Sequence, residues 1–569
     1  MIRREREPAP RPALEGVEKT AMGQTQLRLL IAGGLFALAF VALGGRIVEL
    51  AFFHVTAGPV LAVEDSQAAL RHQGLTPRAD IIDRNGVLLA SDLMTVSLGV
   101  DPARLIDPVA AAGKLAALFP DLSRRELLAK LTSKHGFEWI KRPLTPRQHA
   151  AVLRLGIPGL LFKKAIERIY PNGRTASHVV GFVDVDNTGL AGIERSFDAR
   201  LKNSATPLAL ALDIRVQHVL RQELAGAMAE FSAIGAAGLV MDARSGEIVA
   251  MVSLPDFDPN QPVDSPRGNR FNRASLGVYE MGSTFKTFTV AMALEAGTAS
   301  LSSDYDARRP IRIARYMIRD DHPQNRWLSV SEIYIHSSNI GSARMAVQVG
   351  PELQRRFLDR LGLLRRPALE IEEVGTPLVP RRWGEISTMT ISYGHGLAVS
   401  PVQLVAGVAA VTNGGVLHQP SLLPAGAAPA RPGVRVVSRR TSAKMQALMR
   451  LVVEEGTGRL ADVPGYLVGG KTGTAEKSAA GGYRRHALLS SFVGIFPSTA
   501  PRYVVLALLD EPHGTKQTFG YAGGGWTAAP AVARIIGRIA PLLGVEPTAL
   551  KTHPLHDVVV AALHQGEKL

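Results

Sequence analysis

A serine and a lysine three positions apart, Ser283 and Lys286, place the strongest single constraint on how this chain folds. The apolar spacing that follows predicts a helix over 284–295, which ends before Gly297. Residues three apart share one face of a helix, so the lysine amine is expected beside the serine hydroxyl. Such a hydroxyl needs an adjacent base to act as a nucleophile, and a lysine with a lowered pKa can serve. The pair predicts a nucleophile and its base; for this motif alone, a capping serine beside a solvated lysine is the alternative.

Two further polar segments follow once each, Ser337-Ser338-Asn339 and Lys471-Thr472-Gly473-Thr474. Any one of the three motifs is weak, because a chain of this length should contain about one Ser-x-x-Lys by chance. All three in this order are typical of serine enzymes that open D-alanyl peptides or β-lactam rings. On these residues the chain resembles the penicillin-binding proteins, and the resemblance implies an acyl-enzyme formed on Ser283.

The resemblance also implies a role for the second motif. Ser337 would relay a proton to the leaving D-alanine nitrogen, and Asn339 would position Lys286 and hold the substrate amide. Lys471 is the neighbouring cation that would help to lower the pKa of Lys286. Taken alone, Ser-x-Asn is also compatible with an ordinary polar loop between helices.

The third motif is predicted to lie on an edge strand, where a substrate peptide can add as an extra strand. Gly473 would let the substrate backbone approach closely. By resemblance, Lys471 and the hydroxyls of Thr472 and Thr474 would bind the terminal carboxylate. The backbone amides of Ser283 and Thr474 would form an oxyanion hole.

A competing pattern overlaps the third motif. Residues 465–472 satisfy Gly-x4-Gly-Lys-Thr, which in a phosphate-binding loop follows a strand and opens a helix. Here residues 454–464 are polar and end at a proline, and Gly473 follows the pattern at once. The context therefore disfavours a nucleotide site.

Two segments upstream of the motifs indicate a separate, non-catalytic domain. Asn85-Gly86 between two apolar runs predicts a β-hairpin with a type I′ turn. Residues 78–86 and 168–194 resemble segments of the non-catalytic domain in class B penicillin-binding proteins. We expect an extended α+β pedestal without chemistry of its own.

The region that carries the motifs is predicted to be an antiparallel sheet covered by helices, so the fold class is α+β. The strand signals are an apolar run at 208–212 and later runs at 488–496 and 503–509, with a long helix expected at about 216–231. The predicted organisation is a cytoplasmic tail at 1–28, a transmembrane anchor at 29–51, the pedestal at 54–205, the transpeptidase domain at 206–545 and a C-terminal tail at 546–569.

Leu29–Gly45 is an uncharged, apolar run that meets the lower end of the length needed to span a membrane. Residues 9–28 carry Arg and Lys, whereas 51–70 carry neither, so the positive-inside rule places the N-terminus in the cytoplasm and the bulk in the periplasm. A signal peptide cleaved at Ala37-Leu38-Ala39 is the alternative.

Composition limits the partners. The net charge of +15 favours an anionic partner, such as lipid headgroups or a wall polymer. The sequence contains no zinc-finger spacing, RNP-like aromatic motif or long basic run, which disfavours nucleic acid. It contains no cysteine and no His-Glu-x-x-His pattern, so no metal or other cofactor is expected.

The pedestal is too short for a glycosyltransferase domain, which points to class B of the family. The compact length and the Lys-Thr-Gly-Thr form of the third motif resemble the division-specific, FtsI-type members. The resemblance implies a D,D-transpeptidase of the inner membrane that cross-links peptidoglycan stem peptides at the division septum. It also implies that β-lactams acylate the enzyme. It also implies an FtsW-type glycan polymerase and other division proteins as partners. An elongation-specific transpeptidase and a membrane-anchored β-lactam sensor are the alternatives.

Overall fold

The computed structural model describes only part of the chain, namely residues 30–45, 77–313, 316–426, 432–479, 482–549, 552–557 and 559–560. The predicted tail at 1–28, much of the predicted anchor and the end of the C-terminal tail lie outside these ranges. Residues 30–45 form a helix, α1, with exposed apolar side chains such as Leu30 and Phe36. Within the described ranges, no helix combines the length and the hydropathy of a membrane span.

The pedestal is built on a five-stranded sheet in the order β3-β2-β1-β5, with β4 paired to the same long strand β2. Three helices cover one face of its outer part, where Leu98, Leu115 and Val152 share a hydrophobic core. Its strands are β1 Ile81–Ile82, β2 Leu88–Val100, β3 Glu138–Leu144, β4 Leu160–Ile169 and β5 Leu208–Ala209. Its helices are α2 Pro108–Leu118, α3 Arg124–Leu131, α4 Pro146–Arg154, α5 Ser177–Val180, α6 Gly192–Ser196 and α7 Asp198–Asn203.

The predicted hairpin is present, but its turn is not type I′. Strands β1 and β2 pair antiparallel, and Gly86 has the positive φ of +83°, whereas Asn85 is not among the residues with positive φ. The Asp83 carboxylate instead accepts hydrogen bonds from the backbone N–H groups of Asn85 and Val87, at 2.8 and 2.9 Å. A side chain therefore organises a longer turn, which the dipeptide pattern alone did not reveal.

A buried ion network joins the two pedestal segments that carried the resemblance. Arg78 and Arg168 have no exposed side-chain surface, and both bind the equally buried Glu194, at 2.6 and 2.7 Å. Arg78 also reaches Asp198 at 2.5 Å, and Arg168 reaches Asp92 at 3.0 Å. The polar residues of these segments thus hold separate parts of the pedestal together.

The second part of the molecule is built on an antiparallel five-stranded sheet in the order β16-β17-β18-β6-β7, as predicted for the α+β class. The strands are β6 Gly235–Asp242, β7 Ile248–Leu254, β16 Gly469–Ala479, β17 Gly482–Phe496 and β18 Tyr503–Asp510. Shorter strands lie outside it, namely β8 Tyr279–Glu280, β9 Asp304–Asp306, β10 Ile311–Ile313, β11 Tyr316–Ile318, β12 Trp327–Ser329, β13 Ala398–Val399, β14 Val416–Leu417 and β15 Val434–Arg435.

Helices cover both faces of this sheet, and every residue of β6, β7 and β18 is therefore buried. The helices are α8 Ile214–Glu230, α9 Lys286–Glu295, α10 Val330–Ile335, α11 Asn339–Val349, α12 Pro351–Arg360, α13 Glu385–Ser392, α14 Pro401–Thr412, α15 Arg439–Glu454 and α16 Ala528–Leu542. Leu220 of α8 and Ile536 of α16 share a core with Val505 on one face. On the other face lies α14, every residue of which is buried.

One predicted strand belongs elsewhere. The apolar run at 208–212 was expected to open the sheet of the motif-bearing domain, but β5 pairs in parallel with β1 of the pedestal. Leu210 continues this connection by donating its backbone N–H to the carbonyl of Ile82 at 2.9 Å. An apolar run reveals burial but not its pairing partner, so sequence could not distinguish the two sheets.

Candidate active site

Ser283 lies in a tight 3-10 turn, Gly282–Phe285, immediately before α9. The regular helix therefore begins at Lys286 rather than at residue 284 as predicted. Gly282 has φ +55°, and a Cβ there would lie 2.5 Å from the carbonyl oxygen of Thr474. The turn thus needs glycine to press the serine segment against β16. The predicted proximity holds, since the Lys286 amine lies 2.7 Å from the Ser283 hydroxyl.

The Lys286 amine contacts oxygens from both of the first two motifs. Besides Ser283, it lies 2.8 Å from the carbonyl of Ser337 and 2.7 Å from Oδ1 of Asn339. The Asn339 amide orientation follows from its Nδ2, which donates to the carbonyl of Arg319 at 2.9 Å. A neutral amine has two N–H groups and one lone pair. These two obligate acceptors take the N–H groups, which leaves the lone pair for the Ser283 proton.

Ser337 bridges the two lysines. It has φ +60° in the connection between α10 and α11. Its hydroxyl lies 3.1 Å from the Lys286 amine and 3.0 Å from the Lys471 amine. The structure therefore brings all three motifs together around one hydroxyl, which is the position that a proton relay requires.

Both lysines are completely buried, with 0% of either residue exposed. Burial lowers the pKa of Lys286 to about 7, against the opposing charges of Asp321 and Asp320. Burial also holds the pKa of Lys471 well below its usual range, and repulsion from Lys286 adds to this effect. Desolvation is therefore the reason that Lys286 can be a neutral base, and a contribution from the charge of Lys471 stays a prediction.

Asp320 holds the second motif in place, and sequence analysis missed it. Its carboxylate accepts from the Ser338 hydroxyl at 2.8 Å and from the backbone N–H groups of Asn339 and Ile340 at 2.6 and 2.9 Å. These groups form the start of α11, so the aspartate caps that helix from a distant loop. Because the cap is contributed from outside the helix, no local spacing pointed to it.

The third motif lies on β16, the predicted edge strand of the sheet. A Cβ at Gly473 would lie 2.8 Å from the carbonyl oxygen of Met281 and 2.4 Å from the Ser491 hydroxyl. The close approach seen at this glycine is therefore to the nucleophile segment and the next strand; approach by a substrate remains a prediction. Gly469 and Lys471 are also in this strand, not at a helix start, which argues against the phosphate-loop alternative.

The three motifs open onto a cleft of about 470 Å³. Predicted site residues that line it are Ser283, Ser337, Thr472 and Thr474. Neither lysine does so: the Lys471 amine faces the Ser337 hydroxyl and, at 3.4 Å, that of Thr472. The cleft surface at the third motif therefore presents hydroxyl groups, with the Lys471 amine behind them.

Residues outside the motifs order these hydroxyls. The Thr472 hydroxyl lies 2.7 Å from that of Thr457, and the Thr474 hydroxyl accepts the backbone N–H of Gly524 at 3.1 Å. A Cβ at Gly524 would lie 2.2 Å from the carbonyl oxygen of Ser491, so this loop requires glycine. The run of three glycines at 523–525 was the available sequence signal for a close backbone approach. In the described ranges, no group of His, Asp or Glu side chains is arranged to hold a metal ion.

Comparisons with known proteins agree on the organisation of the chain. Residues 74–206 match the penicillin-binding protein dimerisation domain family, and residues 236–537 match the penicillin binding protein transpeptidase domain family. The probable peptidoglycan D,D-transpeptidase FtsI of Caulobacter vibrioides is 40% identical over 538 residues, covering 92% of this chain and 89% of that protein. The probable peptidoglycan D,D-transpeptidase PenA of Neisseria gonorrhoeae is 32% identical, covering 96% and 98%.

A solved structure supports the same architecture. Penicillin binding protein 3 from Mycobacterium tuberculosis, complexed with ampicillin, superposes with a TM-score of 0.66 at 25% sequence identity. The match covers 84% of this chain and 98% of that one. The predicted α+β fold with a non-catalytic and a transpeptidase domain is thereby confirmed.

Proposed function

Because the chain belongs to the penicillin-binding proteins that join a dimerisation domain to a transpeptidase domain, we propose that Ser283 carries the acyl group of its reaction. The protein is a peptidoglycan D,D-transpeptidase of the FtsI type, a serine enzyme acting on D-alanyl-D-alanine stem peptides and a target of β-lactams. The observation that supports the assignment of Ser283 best is its 2.7 Å contact with a fully buried lysine amine.

The first half-reaction transfers the donor peptide to the serine. Neutral Lys286 accepts the Ser283 proton, and the oxygen attacks the carbonyl carbon of the penultimate D-alanine. The backbone amides of Ser283 and Thr474 stabilise the resulting oxyanion. Ser337, in contact with both lysines, delivers its proton to the leaving nitrogen and takes in exchange the proton that Lys286 removed from Ser283, which leaves Lys286 neutral again. The C–N bond breaks, the terminal D-alanine leaves and the acyl ester remains.

The second half-reaction forms the cross-link. An amine on a neighbouring stem peptide attacks the ester carbonyl, and its proton returns through Lys286 to the Ser283 oxygen. A β-lactam acylates the same oxygen through its ring carbonyl. In the described ranges, no glutamate lines the cleft, so no counterpart is seen of the residue by which class A β-lactamases deacylate.

Substitution of the nucleophile tests this assignment. Ser283→Ala should abolish covalent labelling by fluorescent penicillin while the melting temperature stays close to wild type, since the hydroxyl occupies a formed turn. Labelling that persists at another serine would refute Ser283. Turnover of a donor–acceptor peptide pair by the wild type separates an enzyme from a β-lactam sensor, because a sensor would be labelled without forming a cross-link.

We propose a division-specific role at the septum, supported by the FtsI name of the Caulobacter vibrioides relative. Depletion followed by microscopy tests this role. Filamentous cells are expected, whereas spherical cells would indicate the elongation-specific alternative.

We also propose that residues 29–51 anchor the protein in the inner membrane, with the N-terminus in the cytoplasm and the bulk in the periplasm. The uncharged run, the exposed apolar side chains of α1 and the basic N-terminal flank support this topology. A reporter at residue 1 should behave as cytoplasmic and one after Leu569 as periplasmic. A soluble species beginning near Phe40 would instead indicate a cleaved signal peptide.

The membrane partner that we propose is an FtsW-type glycan polymerase, because the matched domains include no glycosyltransferase. Gly33 and Ala37 of α1 are small enough for close helix packing. Replacing both with leucine should weaken co-purification with the polymerase and leave penicillin labelling intact. Equal co-purification would place the contact outside α1.

A further inference from the structure

The cleft must accept a negative charge, and its walls offer few positive ones. Both D-alanyl-D-alanine and penicillin carry a carboxylate next to the bond that is broken, so binding moves a full charge out of water. This question rests on the proposed function, because it concerns the ligands of Ser283. The hydroxyls of Thr472 and Thr474 can donate hydrogen bonds to a carboxylate but carry no charge to balance it.

The two motif lysines are poorly placed to balance that charge. Neither lines the cleft, both are fully buried, and their amines are already bonded to Ser283, Ser337 and Asn339 or to Thr472. Burial lowers the pKa of each amine, so neither is a permanent cation. A direct ion pair with the ligand therefore needs a cation from elsewhere.

Four residues with titratable side chains of other kinds line the cleft, namely Asp321, His322, His336 and Arg459. Asp321 has the wrong sign for a carboxylate ligand. Burial lowers the pKa of His336, so this imidazole is neutral at pH 7. Arg459 carries a guanidinium, which keeps its charge at any physiological pH. In this part of the described structure, it is the permanent cation of the cleft wall.

The backbone of Arg459 is fixed on the third-motif side of the cleft. It begins a 3-10 turn, Arg459–Ala461, two residues after Thr457, whose hydroxyl contacts that of Thr472 at 2.7 Å. The preceding residue, Gly458, would bring a Cβ within 3.0 Å of the Phe492 ring, so the backbone here lies tight against the sheet. The turn that begins at Arg459 therefore adjoins a residue in contact with the Thr472 hydroxyl, and Arg459 lines the same cleft as Thr472 and Thr474.

The guanidinium is also free to take an anionic ligand. Its one bond is from Nη2 to the backbone carbonyl of Glu455 at 2.9 Å, and no carboxylate among the described residues pairs with it. Some exposed arginines are instead held by a carboxylate, as Arg308 is by Asp306 and Arg365 by Asp359, whereas Arg459 combines the lack of such a partner with a place in the cleft wall. An arginine without a carboxylate partner, in the wall of the catalytic cleft, is the group that this cleft can offer to an anion.

We propose that Arg459 binds the carboxylate of the donor stem peptide and of β-lactams, and so determines the preference of the cleft for anionic ligands. The guanidinium forms the charged contact, and the hydroxyls of Thr472 and Thr474 complete the carboxylate site. The residue binds ligand and takes no part in proton transfer.

The test compares one β-lactam with its charge present and masked. The second-order rate of Ser283 acylation is measured for benzylpenicillin and for its methyl ester, with wild type, Arg459→Gln and Arg459→Lys. Loss of a hydrogen-bonded charge pair should lower the rate for the acid about 10- to 100-fold in Arg459→Gln. The rate for the ester should change less than about threefold, since its ester group carries no charge to lose. Arg459→Lys should recover part of the rate for the acid, and added salt should reduce the wild-type advantage.

Arg439→Gln is the matched control, because it removes an exposed arginine at the opposite end of α15. It should leave both rates unchanged. Equal loss of acid and ester rates in Arg459→Gln would show a structural role, and no loss of either would show that the residue does not contact the ligand; either result overturns the proposal. Absence of acylation in the wild type would instead refute the assignment of Ser283, which keeps the two failures distinct.

Discussion

Arg78 and Arg168 in the pedestal and Lys286 and Lys471 in the catalytic centre are all buried, yet their partners differ in kind. The arginines are bonded directly to carboxylates, above all to Glu194 at 2.6 and 2.7 Å. The lysine amines are bonded to hydroxyls, backbone carbonyls and an amide oxygen.

This difference decides whether a proton can leave. Burial alone would lower the pKa of Arg168, but the charges of Glu194 and Asp92 outweigh burial and raise it. No carboxylate bonds directly to the Lys286 amine in the described structure, and burial lowers its pKa to about 7. The pedestal thus holds fixed charges that bind segments together, whereas the catalytic centre holds a base whose proton can move.

The largest expected effect is on the acylation rate, when the titrating amine of Lys286 is removed. Lys286→Met keeps an apolar side chain of similar length but removes the base, so acylation by penicillin should fall by about 10²- to 10⁴-fold. In the wild type, burial depresses the pKa of Lys286 from 10.5 to about 7. The native state therefore loses stability as pH falls from 10.5 toward 7. At neutral pH the substitution removes that cost, and the melting temperature should not fall.

Stopped-flow acylation and thermal unfolding of the same samples check both outcomes. Ser283→Ala is the control that abolishes acylation without changing the buried charge. If Lys286→Met lowered the melting temperature as much as Glu194→Gln in the pedestal, the distinction between the two regions would be contradicted.

Removing the carboxylate that the two pedestal arginines share should lower stability and leave acylation unchanged. Glu194→Gln leaves Arg78 and Arg168 buried without their common partner, which should cost about 3–5 kcal/mol in the free energy of unfolding. Acylation per folded molecule should stay near wild type, because the cleft contains no residue of this network. Denaturant unfolding and active-site titration measure the two quantities; unchanged stability would remove the structural role of the network.

The pH dependence of acylation sharpens the comparison further. Because neutral Lys286 is the base, the acylation rate should rise with pH by up to about tenfold per unit below 7 and level off above it. In the pedestal it is stability that should depend on pH: burial lowers the pKa of His178 in α5 to about 4, so the free energy of unfolding should fall as pH drops from about 6.5 toward 4. An acylation rate that is independent of pH between 5 and 8 would contradict Lys286 as the titrating base.

The central residues of the catalytic site were predictable from sequence, because the spacing of residues within one helix or strand indicates which side chains lie together. The three-residue interval from Ser283 to Lys286 and the strand around Lys471 each report on one element. The meeting of all three motifs at the Ser337 hydroxyl came from family resemblance, since no local spacing encodes a contact between distant segments.

The remaining features depend on contacts between segments far apart in the chain. Asp320 caps α11 from a loop, Arg459 reaches the cleft from a turn after α15, and β5 pairs with β1 across more than a hundred residues. An isolated aspartate, arginine or apolar run has many possible partners, so its residue type does not indicate which one the fold selects.

The smallest expected effect concerns the C-terminal segment, whose role sequence analysis left open. His553 is 5% exposed, and burial together with Arg450 and His556 lowers its pKa to about 4. A histidine with a lowered pKa stabilises the native state above its unfolded pKa near 6.5, and that contribution is lost as pH falls toward 4. Residues 552–557 should therefore show lower amide-exchange protection factors, taken relative to the intrinsic exchange rate at each pH, at pH 5 than at pH 7, and faster cleavage by a protease after correction for its own activity at each pH. His553→Gln should reduce this difference, and His218→Gln, which replaces an exposed histidine of α8, should preserve it. Acylation at pH 7 should be unchanged in both variants, because His553 lies outside the cleft wall; protection that is equal at the two pH values would show that His553 does not control docking of the segment.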